Sequence, residues 1–207
     1  MFALDTGSDG ASGPFMAWSA RGSQDGEINA KTFYIRDGGT KTPIDVSKGV
    51  VLAIEDLKTG WQRSEGIAGV APEWRWNPSP AQMMPAPGDD WKKGISVRVA
   101  IGGGNVATWE QAGAATWQCI VKLAAQLKEQ PGKGMLPMVK LTGTDAMQFK
   151  RGSTIAPILE VVKWVPTPDC LKAGAVAGIA IEPADPAPAP KAAPAPAPVA
   201  ADDDLEF

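Results

Sequence analysis

The sequence predicts a mainly β domain: a barrel of five or six strands carrying one helix, with a long inserted loop or hairpin and a Pro/Ala-rich acidic tail. Three observations point there. The 207 residues include 23 glycines and 19 prolines, which favour many turns over long helices. Short β-branched or aromatic stretches bounded by turn residues recur between positions 14 and 165. A single stretch combines helical apolar spacing with start and stop signals. The length suits one domain of about 100–200 residues with an appendage, and a hydrophobic content of 44% can fill its core.

Residues 1–13, rich in Gly, Ser and Asp, read as a flexible N-terminal arm, and the folded domain is expected over 14–170. Its strands are expected in "PFMAWSAR" (14–21), "KTFYIR" (31–36), "GVVLAIEDL" (49–57), "ISVRVAIG" (95–102), "LPMVKLTG" (136–143) and "IAPILEVVKWV" (155–165). Strand alternation puts Ile95, Val97, Val99 and Ile101 toward a core, with Arg98 outside. In the same way Phe33 and Ile35 oppose Thr32, Tyr34 and Arg36. The stretch 62–94, with five prolines and three tryptophans, is the expected insertion; such long patternless segments are usually functional or disordered.

The helix is expected at about 108–129. Thr108 and Gln111 fit a capping box, Trp109, Ile120, Leu123, Ala124 and Leu127 give the apolar spacing, and Pro131-Gly132 ends the element. A helix entered after three or four strands and followed by two more is the order of an OB-type barrel. Residues 171–201 read as a flexible linker. From 183 on it carries seven prolines among alanines and no aromatic, so it should be extended at about 3 Å per residue, with a reach on the order of 50 Å. Residues 202–207 form an acidic tip.

The net charge of −3 averages two unlike parts. From 183 on, Lys191 stands against Asp185, Asp202, Asp203, Asp204 and Glu206, whereas residues 60–165 hold twelve basic against eight acidic residues. Such an asymmetry accompanies polyanion binding. No apolar run approaches the roughly 20 residues that span a bilayer, and the first residues lack the basic and apolar regions of a signal peptide. A cytoplasmic protein without a membrane partner is expected. Cys119 and Cys170 are the only cysteines and histidine is absent, so two reduced thiols are expected, with no disulfide framework, zinc site or other cofactor.

Eight tryptophans against one tyrosine, several beside cations, suit single-stranded nucleic acid: bases stack on flat rings at about 1–3 kcal/mol each while Lys and Arg follow the phosphates. The candidate binding residues are Trp18, Arg21, Tyr34, Arg36, Trp61, Arg63, Trp74, Arg75, Trp76, Trp91, Lys92, Lys93, Arg98, Lys140 and Lys163. Trp117, inside the expected helix, reads as core. A rival signal is "AIGGGNVATWEQ", where Gly102, Gly104 and Ala107 fit the G-x-G-x-x-G/A dinucleotide fingerprint. No βαβ alternation surrounds it, so a tight strand-to-helix turn is the better account. Without histidine or a phosphate-binding loop, and with neither cysteine beside an activating neighbour, an enzyme is not expected. The pairs Glu55-Asp56 and Asp89-Asp90 read as solvated surface.

The run Asp202, Asp203, Asp204, Leu205, Glu206, Phe207 on a Pro/Ala-rich linker resembles the acidic tip of bacterial and bacteriophage single-stranded-DNA-binding proteins, in which aspartates precede an apolar residue and a final Phe. The order of strands upstream is similar to the OB-fold core of that family, and Glu206 departs from its pattern, where a proline commonly precedes the Phe. The resemblance implies a protein that coats single-stranded DNA in an infected bacterial cell during replication, recombination or repair. It would recruit phage or host partner proteins through 202–207 and could form a homo-oligomer. The alternative class is a β-rich phage structural or adaptor protein with an acidic interaction tail and no nucleic-acid affinity.

Overall fold

The computed structural model describes residues 13–67, 70–150 and 152–172. The expected arm up to residue 12, the linker beyond Lys172 and the tip 202–207 lie outside the described residues. The described chain is mainly β with one α-helix. In order it forms β1 (Phe15–Ser19), β2 (Thr32–Asp37), β3 (Thr40–Ile44), β4 (Val50–Leu52), β5 (Lys58–Arg63), β6 (Glu73–Trp76), β7 (Lys92–Ala100), β8 (Val106–Ala112), α1 (Ala114–Leu127), β9 (Met135–Phe149) and β10 (Gly152–Pro166).

All ten strands join one sheet. Its main path runs β10-β9-β4-β7-β8-β1-β2-β3, with β5 on β7 and β6 on β5 as a branch. Only the short β1–β8 pair is parallel. Among the described residues no ladder joins β3 to β10, so the expected five- or six-stranded barrel is replaced by a wider, unclosed sheet. β10 nevertheless curls back to β1: the Trp18 indole N–H donates to the Ile155 carbonyl at 2.8 Å, and the Arg21 guanidinium donates to the Ser153 carbonyl.

The inner face of this curl is the core. Period-two alternation delivers Met16, Trp18, Phe33, Ile35, Ile95, Val97, Val99 and Trp109, and α1 adds Cys119, Ile120 and Leu123. Phe33 holds the aromatic centre, tilted against Trp18 at 4.9 Å and edge-on to Trp109 at 5.5 Å. Burial pushes the Cys119 thiol up to about 12, so it is an inert packing group. Cys170 is half-buried and likewise free. Among the described residues no helix is long and apolar enough to cross a membrane.

Several expected elements are corrected. The helix starts at Ala114, because 106–112 is β8. Thr108 pairs with Arg98 in the ladder, and Gly113, at φ 130°, precedes the helix without a side-chain cap, so the capping box does not form. Gln111 does something else: its side-chain amide accepts from the Trp18 N–H at 2.8 Å and donates to the Trp18 carbonyl at 2.9 Å, extending the β1–β8 ladder with a side chain. The Gly102–Gly104 turn joins β7 to β8, with all three glycines at left-handed φ (97°, 59° and 79°). It is therefore a hairpin turn. The chain runs from it into β8, so the expected strand-to-helix turn is a strand-to-strand turn and no helix N-terminus directly follows the three glycines.

Expected strand 49–57 shrinks to β4 followed by one turn at Ile54–Asp56, and β5 begins only at Lys58. The expected insertion 62–94 contributes β6, which pairs antiparallel with β5 as a hairpin. The coil after it is pinned by Asn77, which donates to Thr59 Oγ1 at 2.9 Å and accepts from the Met84 N–H at 3.0 Å. β10 ends the sheet's main path and among the described residues pairs only with β9, so ladder groups on its other side have no strand to meet. Gln126 of α1 covers two of them, accepting from the Val161 N–H at 2.8 Å and donating to the Leu159 carbonyl at 3.4 Å.

Candidate nucleic-acid interface

Strand register divides the expected binding residues between the two faces of the sheet. On the outer face, away from α1, Phe15 lies opposite both Arg36 and Thr108, and Thr108 lies opposite Arg98. Tyr34, opposite Ala17, shares that face. On the other side of β7 the same face carries Lys140, opposite Glu160, and Lys163, opposite Met138. Lys92 and Lys58 belong to it as well, at the β5–β7 pairing. Among the described residues Arg36, Lys92, Lys140 and Lys163 form no ion pair within 4.0 Å. Arg98 is engaged, donating to Asp56 at 2.7 Å and to the Leu171 carbonyl at 2.9 Å. Lys41, opposite Arg36, is neutralised by Asp25 and Glu27. Lys41 in turn holds the Asp25 carboxyl well below the usual range, with the Ser23 hydroxyl and Glu27 N–H adding to the effect.

Trp74 and Trp76 close one end of this face. They stand two residues apart on β6, so both project to the same side, and their rings stack with centroids 4.3 Å apart and planes 10° apart. Their floor is made of glycine. Gly60 of β5 is directly opposite both Trp76 and Gly94, so neither strand raises a side chain beneath the indoles. Trp76, the outer member, is 36% exposed.

Beside this stack, Ser96 lies between Lys58 and Glu110. Burial holds the Glu110 carboxyl above its usual value, against the opposite pull of Ser96, Trp74 and Lys58. The Trp74 indole N–H lies near this carboxylate but closes no hydrogen bond of normal geometry.

The opposite face of the β5–β6 hairpin carries a second aromatic and basic group. The Arg63 and Arg75 guanidiniums cover the Trp91 ring at 5.5 and 5.0 Å, and Lys93 Nζ lies 5.7 Å from the Trp61 ring and 5.3 Å from that of Trp117. Glu73 binds Arg63 at 2.8 Å and lies 3.5 Å from Arg75.

Two of the expected stacking residues are not available for it. Trp18 is 4% exposed, packed on Phe33, and Trp91 is 8% exposed beneath two guanidiniums. The reason is common to both: each occupies an inward position of its strand or strand entry. Arg21 sits apart from the other candidates, at the β10 end of the curl. Trp117, expected as core, packs against the main core as a half-buried ring that also meets Lys93, and Lys58 escaped notice because no aromatic adjoins it in sequence.

Among the described residues no group of three or more His, Cys, Asp or Glu gathers where a metal ion could be held. No family model, no curated protein and no solved structure matches the chain.

Proposed function

We propose that the chain binds and protects single-stranded DNA with little sequence preference, on a sheet that is a widened, unclosed form of the OB-type barrel. One observation carries this: the stacked Trp74–Trp76 pair leaves an indole exposed on the same face as Tyr34 and as Arg36, Lys92, Lys140 and Lys163, cations without an ion pair among the described residues. A base offers a π-face whatever its identity, so it extends such a stack without sequence preference, and the cations meet its phosphates. A duplex keeps its ring faces inside and presents only phosphate to this surface.

The protein acts in replication, recombination or repair of phage DNA, as a binding protein and not an enzyme. The run Asp202–Phe207 recruits partners: its aspartates are drawn to a basic rim while Leu205 and Phe207 enter an apolar pocket.

Titration of tryptophan emission with an oligo-dT strand tests the binding. Quenching that weakens with salt, at a log–log slope of about −0.7 per phosphate contacted, is the expected result. Unchanged emission at low salt, or equal affinity for duplex, overturns it. Removal of 202–207 should leave strand binding intact and abolish capture of replication proteins.

A further inference from the structure

We infer that the nucleic-acid path turns round the free edge of β6 on to the opposite face, where Arg75, Trp61, Lys93 and Trp117 form a second site for an unstacked base of the same single strand. The inference rests on the function proposed above and adds a location to it.

Register supplies the geometry. Arg75 of β6 is directly opposite Trp61 of β5, and Trp61 is directly opposite Lys93 of β7. Three neighbouring strands, about 4.8 Å apart, thus lay down cation, indole, cation in one row. Trp117 of α1 extends the row with a second indole on Lys93. The two sites are adjacent along the chain as well. Trp76 and Arg75 are consecutive residues of a four-residue strand that among the described residues pairs only with β5, so its other edge borders no described strand and the two faces are one strand apart.

The chemistry favours a strand with exposed bases. Lys93 is exposed, and its ammonium lies over two half-buried rings, a placeholder of modest strength. A base stacked on indole binds more tightly than an exposed lysine does, so a base arriving at Trp61 or Trp117 displaces Lys93, which then turns to the adjoining phosphate. Arg63 and Arg75 share the single carboxylate of Glu73, so this part of the face keeps an excess of cation for a polyanion.

Short and long oligo-dT, of about five and about sixteen nucleotides, distinguish the two sites in the full chain. Trp117→Phe and, as a surface variant that leaves the packing untouched, Lys93→Gln should each weaken the long oligonucleotide about 5- to 100-fold while leaving the short one unchanged. Trp76→Ala should weaken both. Long-oligonucleotide affinity unaffected by Trp117→Phe and Lys93→Gln, with Trp76→Ala still harmful, overturns the second site and leaves the proposed function standing. Failure of the unaltered chain to bind either oligonucleotide overturns both.

Discussion

Gly94 lies beneath the six-membered ring of Trp74: a Cβ at 94 would come within 2.7 Å of Trp74 Cζ3 and Cη2, and within 2.8 Å of Ala112 Cβ. The glycine is required for space, since its φ is not in the left-handed region. Gly94→Ala should therefore tilt Trp74 off the sheet, cost about 1–3 kcal/mol in urea denaturation, and weaken oligonucleotide binding with it. Gly143→Ala is the control: its nearest neighbour, Ile158 Cδ1, is at an ordinary 3.7 Å, and stability should hold or rise slightly. Equal behaviour of the two variants would show that the glycine floor does not position the indoles.

Trp76 and Trp109 should separate binding from folding. Trp76 is half-open to solvent, so Trp76→Ala is expected to lose about 1–3 kcal/mol of strand affinity, roughly 5- to 150-fold, with little change in the unfolding midpoint. Trp109 is fully buried, edge-on to Phe33, and Trp109→Ala should cost about 3–5 kcal/mol of stability. Fluorescence titration and urea denaturation of both variants check this. Unaltered affinity in Trp76→Ala removes the stacking role.

Glu110 gives a pH dependence. Its carboxyl is held above the usual value by burial, so the folded chain keeps that proton longer than the unfolded one. Below the ordinary glutamate pKa of about 4.3 both states are neutral and the residue contributes nothing. As pH rises from there through the folded-state value stability falls, and a constant deficit remains above it. Glu110→Gln should thus be more stable than the parent near pH 7, with the gain vanishing near pH 4. It should also bind DNA more tightly near pH 7, because an anion is gone from the outer face. A gain of equal size at both pH values would show that the cause is not ionisation.

Lys140 and Lys41 share the outer face but differ in their partners. Among the described residues Lys140 forms no ion pair within 4.0 Å, while Lys41 is held by Asp25 and Glu27. Lys140→Gln is expected to reduce the salt slope of strand binding by about 0.7, the value of one phosphate contact, and Lys41→Gln to leave it unchanged. Binding isotherms at several salt concentrations decide it, and identical slopes for the two variants would remove Lys140 from the interface.

Strands β1, β2 and β7 were legible because one face of each is core and the other is not: Phe33 and Ile35 are 1% exposed between half-exposed neighbours. β8 was hidden because both of its faces are covered at one end. Val106 packs under Leu136 and Leu171 while Ala107 and Trp109 face the main core, so the period-two signal fades and Thr108 and Gln111 mimic a capping box. β3 was hidden by Pro43 and its charge, tolerable at the end of the sheet's main path, and β5 and β6 by Gly60, on which the Trp stack rests, and by Arg63 and Arg75, which cover Trp91 on the opposite face. At the candidate site, adjacency in sequence misled. Trp74-Arg75-Trp76 and Trp91-Lys92-Lys93 read as compact groups of ring and cation, but alternation sends neighbours to opposite faces, so Arg75 departs from both tryptophans beside it and Lys92 from Lys93.

The Trp18–Ile155 bond fastens β10 to β1 like a button, where a barrel would have a sewn seam. A seam is a row of mutually reinforcing amide pairs and parts only when strands unzip. Here an indole proton and the Arg21 guanidinium stand in for a strand pairing beside Ser153 and Ile155, so Trp18→Phe should loosen this margin while every ladder stays intact, and the β10 amides beside Ile155 should take up deuterium faster in the variant than in the parent.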